Sequence, residues 1–544
     1  MHFLCGLLAV VTIPSIVSLP SQQPDTVHVV IVAPTSRVSQ RDSTMLRVLA
    51  INDFHGALDP RTWAWSAGRP VGGAAALKPW LDSLARACGC TTVRLDGGDE
   101  MQGTLLSNYS YGRPAIAAMN AFGIDAAAIG NHEFDWSIDT LRARMAGARY
   151  PFLAANITDE RGAARPDWAK PFSVIERGGL KIAVIGLALR ATPVTTAARN
   201  VRGLAFGDGA AAVRRVLPRA RTGADYVIVL AHEGAFCDEA GSAACHGEIV
   251  DIARGLDSGS VDLIVSGHTH SLVNTVVNGI PIVQARSNGT AIAVVDFVRV
   301  RGTERAVRVR IETPYADQVR PDPGIADTLA GYRQAVANLT SRAVARVKLE
   351  LRRAGDEYGL GRLIADAHRN VAQADVAIMN NGGIRADLAA GTVTYGDLYQ
   401  VLPFQNRLVR LTVTGKVLTA ALEHVVAGDR ADAHVAGVEL WYDPAKRPGD
   451  RITATRLASG EGPGGPAGQG GRGGRGIDEQ RVYTLAVPDF LATGGSGYDM
   501  LVGLPPDDVG IVDLDALIRY LGVLRQPVEA PGDARIHRMG EPSR

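Results

Sequence analysis

Residues 128–135, AIGNHEFD, decide how this chain is to be read. They follow FGIDAA, so an apolar run stops abruptly at Gly130 and gives way to Asn131, His132, Glu133 and Asp135. A surface turn calls for Gly and Asn, which tolerate tight backbone geometry, but has no use for His-Glu-x-Asp. The same kind of ending recurs: AINDFHG at 50–56, LDGGDEMQG at 95–103, LAHEG at 230–234 and SGHTH at 266–270 each close an apolar run with Asp, Asn or His. From residue 46 to about 312 such runs alternate with helix-like stretches such as GGAAALKPWLDSLARA, which predicts a layered α/β domain. The carboxyl ends of strands in an open α/β sheet converge on one crevice, so these residues can meet although far apart in sequence.

Taken singly, a DFH reads as a capped turn and a histidine after a strand as a core or rim residue. Five of the 12 histidines fall at these junctions, however, and that concentration points to a shared site. Mixed carboxylate, amide and imidazole donors suit Zn, Mn or Fe better than Mg or Ca, which prefer all-oxygen shells.

The chain has 544 residues, more than one hydrophobic core usually organises, so two or more domains are expected. Lys plus Arg number 57 against 56 Asp plus Glu, a net charge of +1 that provides no bulk field for a nucleic-acid polymer or a membrane surface. Residues 1–20 have the layout of a secretory signal without a basic n-region; a buried strand, or a true start at Met45, are the other readings. Export to a periplasmic or extracellular space is the expectation, and no later segment is long and apolar enough to span a bilayer. Cys237 and Cys245 bracket CDEAGSAAC, a plausible clip, whereas Cys88 and Cys90, read on a strand, resist a mutual bridge.

Asp322 and Pro323 precede a helical pattern, and a second α/β region runs from about residue 343. Within it, residues 458–479 are Gly-rich without apolar anchors and read as a mobile loop. VAIMNNGGIRADL at 376–388 is an apolar strand entering a Gly-rich turn; Gly382 and Gly383 allow a ligand close to the backbone and Arg385 supplies a planar fork for phosphate. Phe404 and Phe490 each adjoin turn residues off the main apolar runs, and two such rings could stack on both faces of a base, although either alone is more often core than ligand-facing.

In order, D-x-H, G-D, G-N-H-E, H-x-G and G-H-T-H resemble the calcineurin-like dinuclear metallophosphoesterases, and with the second region they are similar to the bacterial 5′-nucleotidase and UDP-sugar hydrolase family. The resemblance covers nearly the whole chain from Met45. It implies a four-layer α/β/β/α sandwich followed by a smaller mixed α/β substrate-binding domain, with boundaries expected at 45–319, a linker helix at 320–343, and 344–540. It implies two divalent metal ions: Asp53, His55, Asp99 and His270 would hold one, and Asp99, Asn131, His232 and His268 the other, with Asp99 bridging. His132, oriented by Asp135, would be catalytic; a helix N-cap is the lesser reading of Asp135, which could serve both roles. Asn380 and Arg385 would contact substrate, and Phe404 and Phe490 would sandwich the base.

Two departures from that family pattern stand out. Ala354 occupies the expected place of a further phosphate-binding Arg, which a one-residue shift would restore at Arg353. The family's GGDGY reads GGSGY, placing Ser496 where an Asp would accept ribose hydroxyls. The expected activity is release of phosphate from nucleoside 5′-monophosphates, small-molecule substrates, with 2′,3′-cyclic nucleotide phosphodiesterase/3′-nucleotidase or UDP-sugar hydrolase activity as alternatives. From another class, an exported nucleotide-binding protein with structural metals is the remaining reading. The sequence leaves the oligomeric state open.

Overall fold

A computed structural model describes residues 31–32, 43–162, 164–238, 244–300, 304–458 and 476–539. The expected signal segment lies outside these residues, as does most of the Gly-rich stretch. Two sheets form the first region. In one, Ser43–Ile51, Thr91–Asp96, Ala126–Ala128 and Phe152–Leu153 run parallel, flanked on the other edge by the antiparallel strands Ile292–Val300 and Glu304–Glu312. In the other, Leu180–Leu187, Tyr226–Ala231, Leu263–Ser266 and Ile280–Ala285 are parallel.

Strand alternation explains why the sheets stack. Leu46, Val48 and Ala50 point inward with Ile182, Val184, Ile228 and Leu230, making one dry layer between the sheets. The intervening Leu49 and Ile51 face outward against the helices Ala74–Cys88 and Arg113–Phe122, and Val227, Val229 and Ala231 face those at Gly209–Arg221 and Glu248–Arg254. With both faces of each sheet covered, the parallel strands read as near-continuous apolar runs. The result is the four-layer α/β/β/α sandwich.

The helix Pro323–Thr340 begins at Asp322, whose carboxylate accepts the Ile325 N–H at 2.9 Å, and Pro323 needs no donor there. Its buried face, Ile325, Leu329 and Val336, joins an apolar cluster that continues into the second region. That region is a mixed sheet in the order Ala433–Ala436, Val376–Asn380, Val482–Pro488, Arg407–Thr414, Pro506–Val512. Helix Gly415–Val425 covers one face, and Gly359–Ala372 with Asp513–Val523 the other. Asn108 joins the two regions directly, its amide donating to the Tyr399 hydroxyl at 3.1 Å and the Pro403 carbonyl at 3.3 Å.

Both cysteine pairs are bonded, Cys88 with Cys90 and Cys237 with Cys245. The expectation that Cys88 and Cys90 resist pairing assumed a strand. Cys88 instead ends a helix, and Gly89 at φ 62° turns the chain so that the two Cα atoms lie 5.1 Å apart.

Candidate active site

All five motif junctions lie at the carboxyl ends of parallel strands: Asp53 and His55 follow Ile51, Asp99 follows Asp96, Asn131 and His132 follow Ala128, His232 follows Ala231, and His268 and His270 follow Ser266. Ile51 is paired with Asp96 and Leu187 with Ala231, so these ends reach one edge in register. Asp53, His55, Asp99, His268 and His270 all have positive φ, between 50° and 76°. For residues with a Cβ this conformation is uncommon and costs on the order of 1 kcal/mol or more each, so the surrounding fold imposes it.

Six donors converge closely. The Nε2 atoms of His55 and His270 lie 2.9 Å apart, and His270 Nε2 is 3.3 Å from Asp53 Oδ1. His232 Nε2 is 3.0 Å from Asp99 Oδ2 and 3.2 Å from Asn131 Oδ1. The same Asp99 oxygen is 3.8 Å from His55 Nε2, so it sits between the two groups of donors. Among the described residues, Asp53–His55–His270 and Asp53–Asp99–His232 are sets whose ligand atoms could share an ion. His268 falls outside both; its backbone N–H donates to both oxygens of Asp53 at 3.0 Å, and its ring lies 5.4 Å from that of His232.

The donor set fits divalent cations on its own chemistry. His55 Nδ1 lies 2.8 Å from the Gln102 carbonyl and His232 Nδ1 lies 2.8 Å from the Gly97 carbonyl. A carbonyl only accepts, so Nδ1 carries a proton in each ring and Nε2 is the atom turned to the cluster, the arrangement metal-ligating imidazoles use. Burial alone would raise the Asp53 carboxyl, but His270 and His232 outweigh it and hold it down to about 2. The carboxylates are thus ready to coordinate.

Reading by motif overlooked the support beneath these ligands. The Glu133 carboxylate accepts backbone N–H groups from Asp99 at 2.9 Å, Glu100 at 2.8 Å and Gly130 at 2.8 Å, tying two strand-end loops together. Burial and the neighbouring Asp99 charge push its carboxyl up to about 7 against those donors. The Asn52 amide bonds Asp53 Oδ2 at 2.6 Å and the Arg286 carbonyl at 2.6 Å. The Glu in GNHE and the Asn before DFH were the available signals.

His132 stands beside the cluster. Its backbone N–H donates to Asp99 Oδ1 at 2.9 Å and its Nδ1 bonds Asp135 Oδ2 at 2.7 Å, while the Thr196 hydroxyl donates to the other Asp135 oxygen at 2.8 Å. Burial opposes the imidazolium, but Asp135 and Asp99 outweigh it and raise the His132 pKa. Asp135 closes the short His132–Phe134 turn as its C-cap, and the N-cap of the following helix is Ser137.

A cavity of about 580 Å³ extends from Asn131, His132 and His268 to the second region, where Asn380, Gly382, Arg385, Phe404, Phe490 and Ser496 line it. The Phe404 ring stacks on His132, centroids 5.3 Å apart, and Phe490 lies against Gly495, where a Cβ would come within 2.4 Å of its ring. Asn380 Nδ2 donates to Ser496 Oγ at 3.3 Å. Arg385 is half-buried between the regions, 3.5 Å from His270 Nε2, and has no carboxylate partner within 4 Å among the described residues. Arg353 does not line this cavity: its guanidinium bonds the Ile384 carbonyl at 2.9 Å and lies 3.5 Å from Asp387.

Stacked sheets with this donor cluster at their carboxyl edge define a metal-dependent phosphoester hydrolase. The sequence matches the calcineurin-like phosphoesterases over residues 46–272 and the 5′-nucleotidase C-terminal domain over 336–503. The chain belongs to the 5′-nucleotidase family of calcineurin-like metallophosphoesterases. It is 29% identical over 540 residues to a 5′-nucleotidase of Vibrio vulnificus, covering 90% of this chain and 92% of that one. It is 28% identical to endonuclease YhcR of Bacillus subtilis over 92% of this chain, and it spans only 41% of that longer protein. The crystal structure of a 5′-nucleotidase precursor from Thermus thermophilus superposes with a TM-score of 0.79 at 27% identity, covering 91% of this chain and 100% of that one. No described helix is long and apolar enough to cross a membrane.

Proposed function

We propose that the protein releases phosphate from nucleoside 5′-monophosphates, with two divalent cations, Zn, Mn or similar, as cofactors. The observation that carries this reading is that one cavity is lined by His132 and Asn131 of the first region and by Phe404 and Phe490 of the second. Phe404 and Phe490 both line the cavity, so a planar base entering it can stack on a Phe ring, a contact that contributes on the order of 1 kcal/mol. Asp53, His55, Asp99 and His270 would hold one cation and Asp99, Asn131, His232 and His268 the other. When bound, such a pair neutralises phosphoryl charge and provides a nucleophile at neutral pH.

The chain's own residues do the rest. Arg385, a half-buried guanidinium without a carboxylate partner among the described residues, offers two parallel N–H donors to phosphoryl oxygens. Asp135 holds the Nδ1 proton of His132, which leaves Nε2 to deliver a proton to the departing 5′ oxygen. Phe404, stacked on His132, keeps the imidazole plane fixed and water away from that face. Asn380 and Ser496 are placed to meet the sugar. Export, to the periplasm or outside the cell, accords with two bonded cysteine pairs, which persist in oxidising compartments.

A panel of AMP, a 2′,3′-cyclic nucleotide, a UDP-sugar and an aryl phosphate, assayed with Mn, Co or Zn and after chelation, tests the reading. AMP turnover that disappears on chelation is expected. Turnover of the aryl phosphate but not of AMP would overturn the substrate, and full metal content with no turnover of any ester would favour the nucleotide-binding alternative.

A further inference from the structure

Beyond Arg385 the cleft continues into a second cavity of about 1210 Å³, which opens onto the donor cluster from the opposite side, at His55 and His270. Gln102, Arg385 and Pro403 line both cavities, so the two meet at the cluster. The far wall of the second is the segment RTWAW, residues 61–65. Arg61 lies over the Trp63 ring at 5.3 Å, Trp63 stacks on Trp65 with centroids 6.5 Å apart and planes 17° apart, and Arg286 lies over Trp65 at 5.0 Å.

Cation–π contacts cap this ladder, two stacked indoles with a guanidinium at each end. It is not a core feature, because Trp65 is 43% exposed. Trp63 Nε1 is buried without a hydrogen-bond partner among the described residues. The carboxylates facing the cavity are engaged elsewhere: Glu350 with Arg352, Asp387 with Arg353, and Asp397 with the backbone N–H and hydroxyl of Thr394. Arg61 has no carboxylate within ion-pair distance among the described residues, although the Asp387 and Asp397 charges reach it. A large cavity walled by indoles and guanidiniums suits a planar arm attached to an anionic centre.

We propose that this second cavity binds the non-leaving arm of a phosphodiester, and that the Trp63–Trp65 ladder selects arms carrying an aromatic ring. The inference rests on the hydrolase reading above and extends it from monoesters to diesters. For a diester R–O–PO2⁻–O–R′, the oxygen of water bonds to phosphorus and the bond from phosphorus to the R oxygen breaks. The R oxygen takes a proton, so the products are R–OH and R′–O–PO3H⁻. R leaves through the cavity beside His132, and R′ stays on phosphorus and lies along the ladder. A 5′-monophosphate has no R′ and uses the first cavity alone.

The test compares three substrates: AMP, which has no second arm; methyl p-nitrophenyl phosphate, whose arm has no ring; and bis(p-nitrophenyl) phosphate, whose arm does. The wild type should favour the bis-aryl ester over the methyl ester by about tenfold in kcat/KM, as expected for one good stacking contact. The double variant Trp63→Ala/Trp65→Ala should bring that ratio to about one and leave AMP turnover within about twofold. Trp65→Gln, at the exposed rung, should lower the ratio partially and serves if the double variant does not fold. Independently of turnover, the metal-free protein titrated with bis(p-nitrophenyl) phosphate should show saturable quenching of tryptophan fluorescence that the double variant loses. No wild-type preference for the aryl arm, quenching unchanged in the variant, or equal losses on AMP and the diester would each overturn the proposal. Wild type that turns over the diesters but not AMP would instead refute the monophosphate reading and leave this one standing.

Discussion

Replacing Gly130 with alanine probes how tightly the cluster is built. A Cβ at this position would lie 2.2 Å from Asp99 Oδ1, 2.7 Å from the Asp99 nitrogen and 2.8 Å from Glu133 Oε2. Carbon and oxygen come into contact at about 3.3 Å, so the Asp99 carboxylate would have to retreat by about 1 Å. It cannot do so freely, because Asp99 Oδ1 accepts the His132 N–H and Glu133 accepts three backbone donors at the same spot. Overpacking of this kind costs about 1–3 kcal/mol of stability, and a shift of about 1 Å in a catalytic group costs about 10²-fold in rate. Gly130→Ala should therefore lower Tm and reduce bound metal and kcat/KM together. Gly331→Ala is the control: it lies within the helix Pro323–Thr340 with nothing among the described residues within 4 Å of its added Cβ, and should be neutral or stabilising by up to about 1 kcal/mol. Full metal content and activity within about twofold of wild type in Gly130→Ala would refute the bridging position argued for Asp99.

His132→Asn should retain metal, measured by elemental analysis, and lose about 10²-fold or more in kcat, whereas His268→Asn should lose metal; equal metal loss in both would make His132 a ligand. Phe490→Ala should penalise AMP and dAMP alike and spare an aryl phosphate, since stacking is indifferent to the sugar. Ser496→Asp should raise the AMP to dAMP ratio in kcat/KM by about tenfold, because a carboxylate accepts a ribose hydroxyl more strongly than a neutral group does; an unchanged ratio removes the ribose from this loop. Asp513 is wholly buried, and burial pushes its carboxyl up to about 7 despite the N–H of Leu514 and the Asn406 amide. A carboxyl raised on folding favours the fold while protonated, so its contribution is complete below the unfolded value of about 4 and is lost as pH rises to about 7. Asp513→Asn should flatten the fall in Tm between those limits, and a profile parallel to wild type would count against the shift.

The family resemblance, the α/β layering and the meeting of distant motifs were legible in the chain because they are written locally. An apolar run marks each strand, and a polar break at its carboxyl end marks which edge it faces. The capped helix at Asp322 and Pro323 and the Gly-rich turn before Arg385 are local in the same way. What the chain did not disclose depends on contacts between residues far apart. Left-handed backbone at Asp53, His55, Asp99, His268 and His270 runs against the preference of those residues, and only the packed sandwich compels it. Glu133 reads in sequence as one more polar residue, yet its three backbone partners make it the tie between two loops. Phe404 meets His132 only because the second region folds back over the strand ends, and that closure also sets Arg353 in the other cavity. The pairing of Cys88 with Cys90 turns on one left-handed glycine. Residue type chose the donors and the strand ends where they stand; tertiary packing, which overrides local preference, decided where each one points.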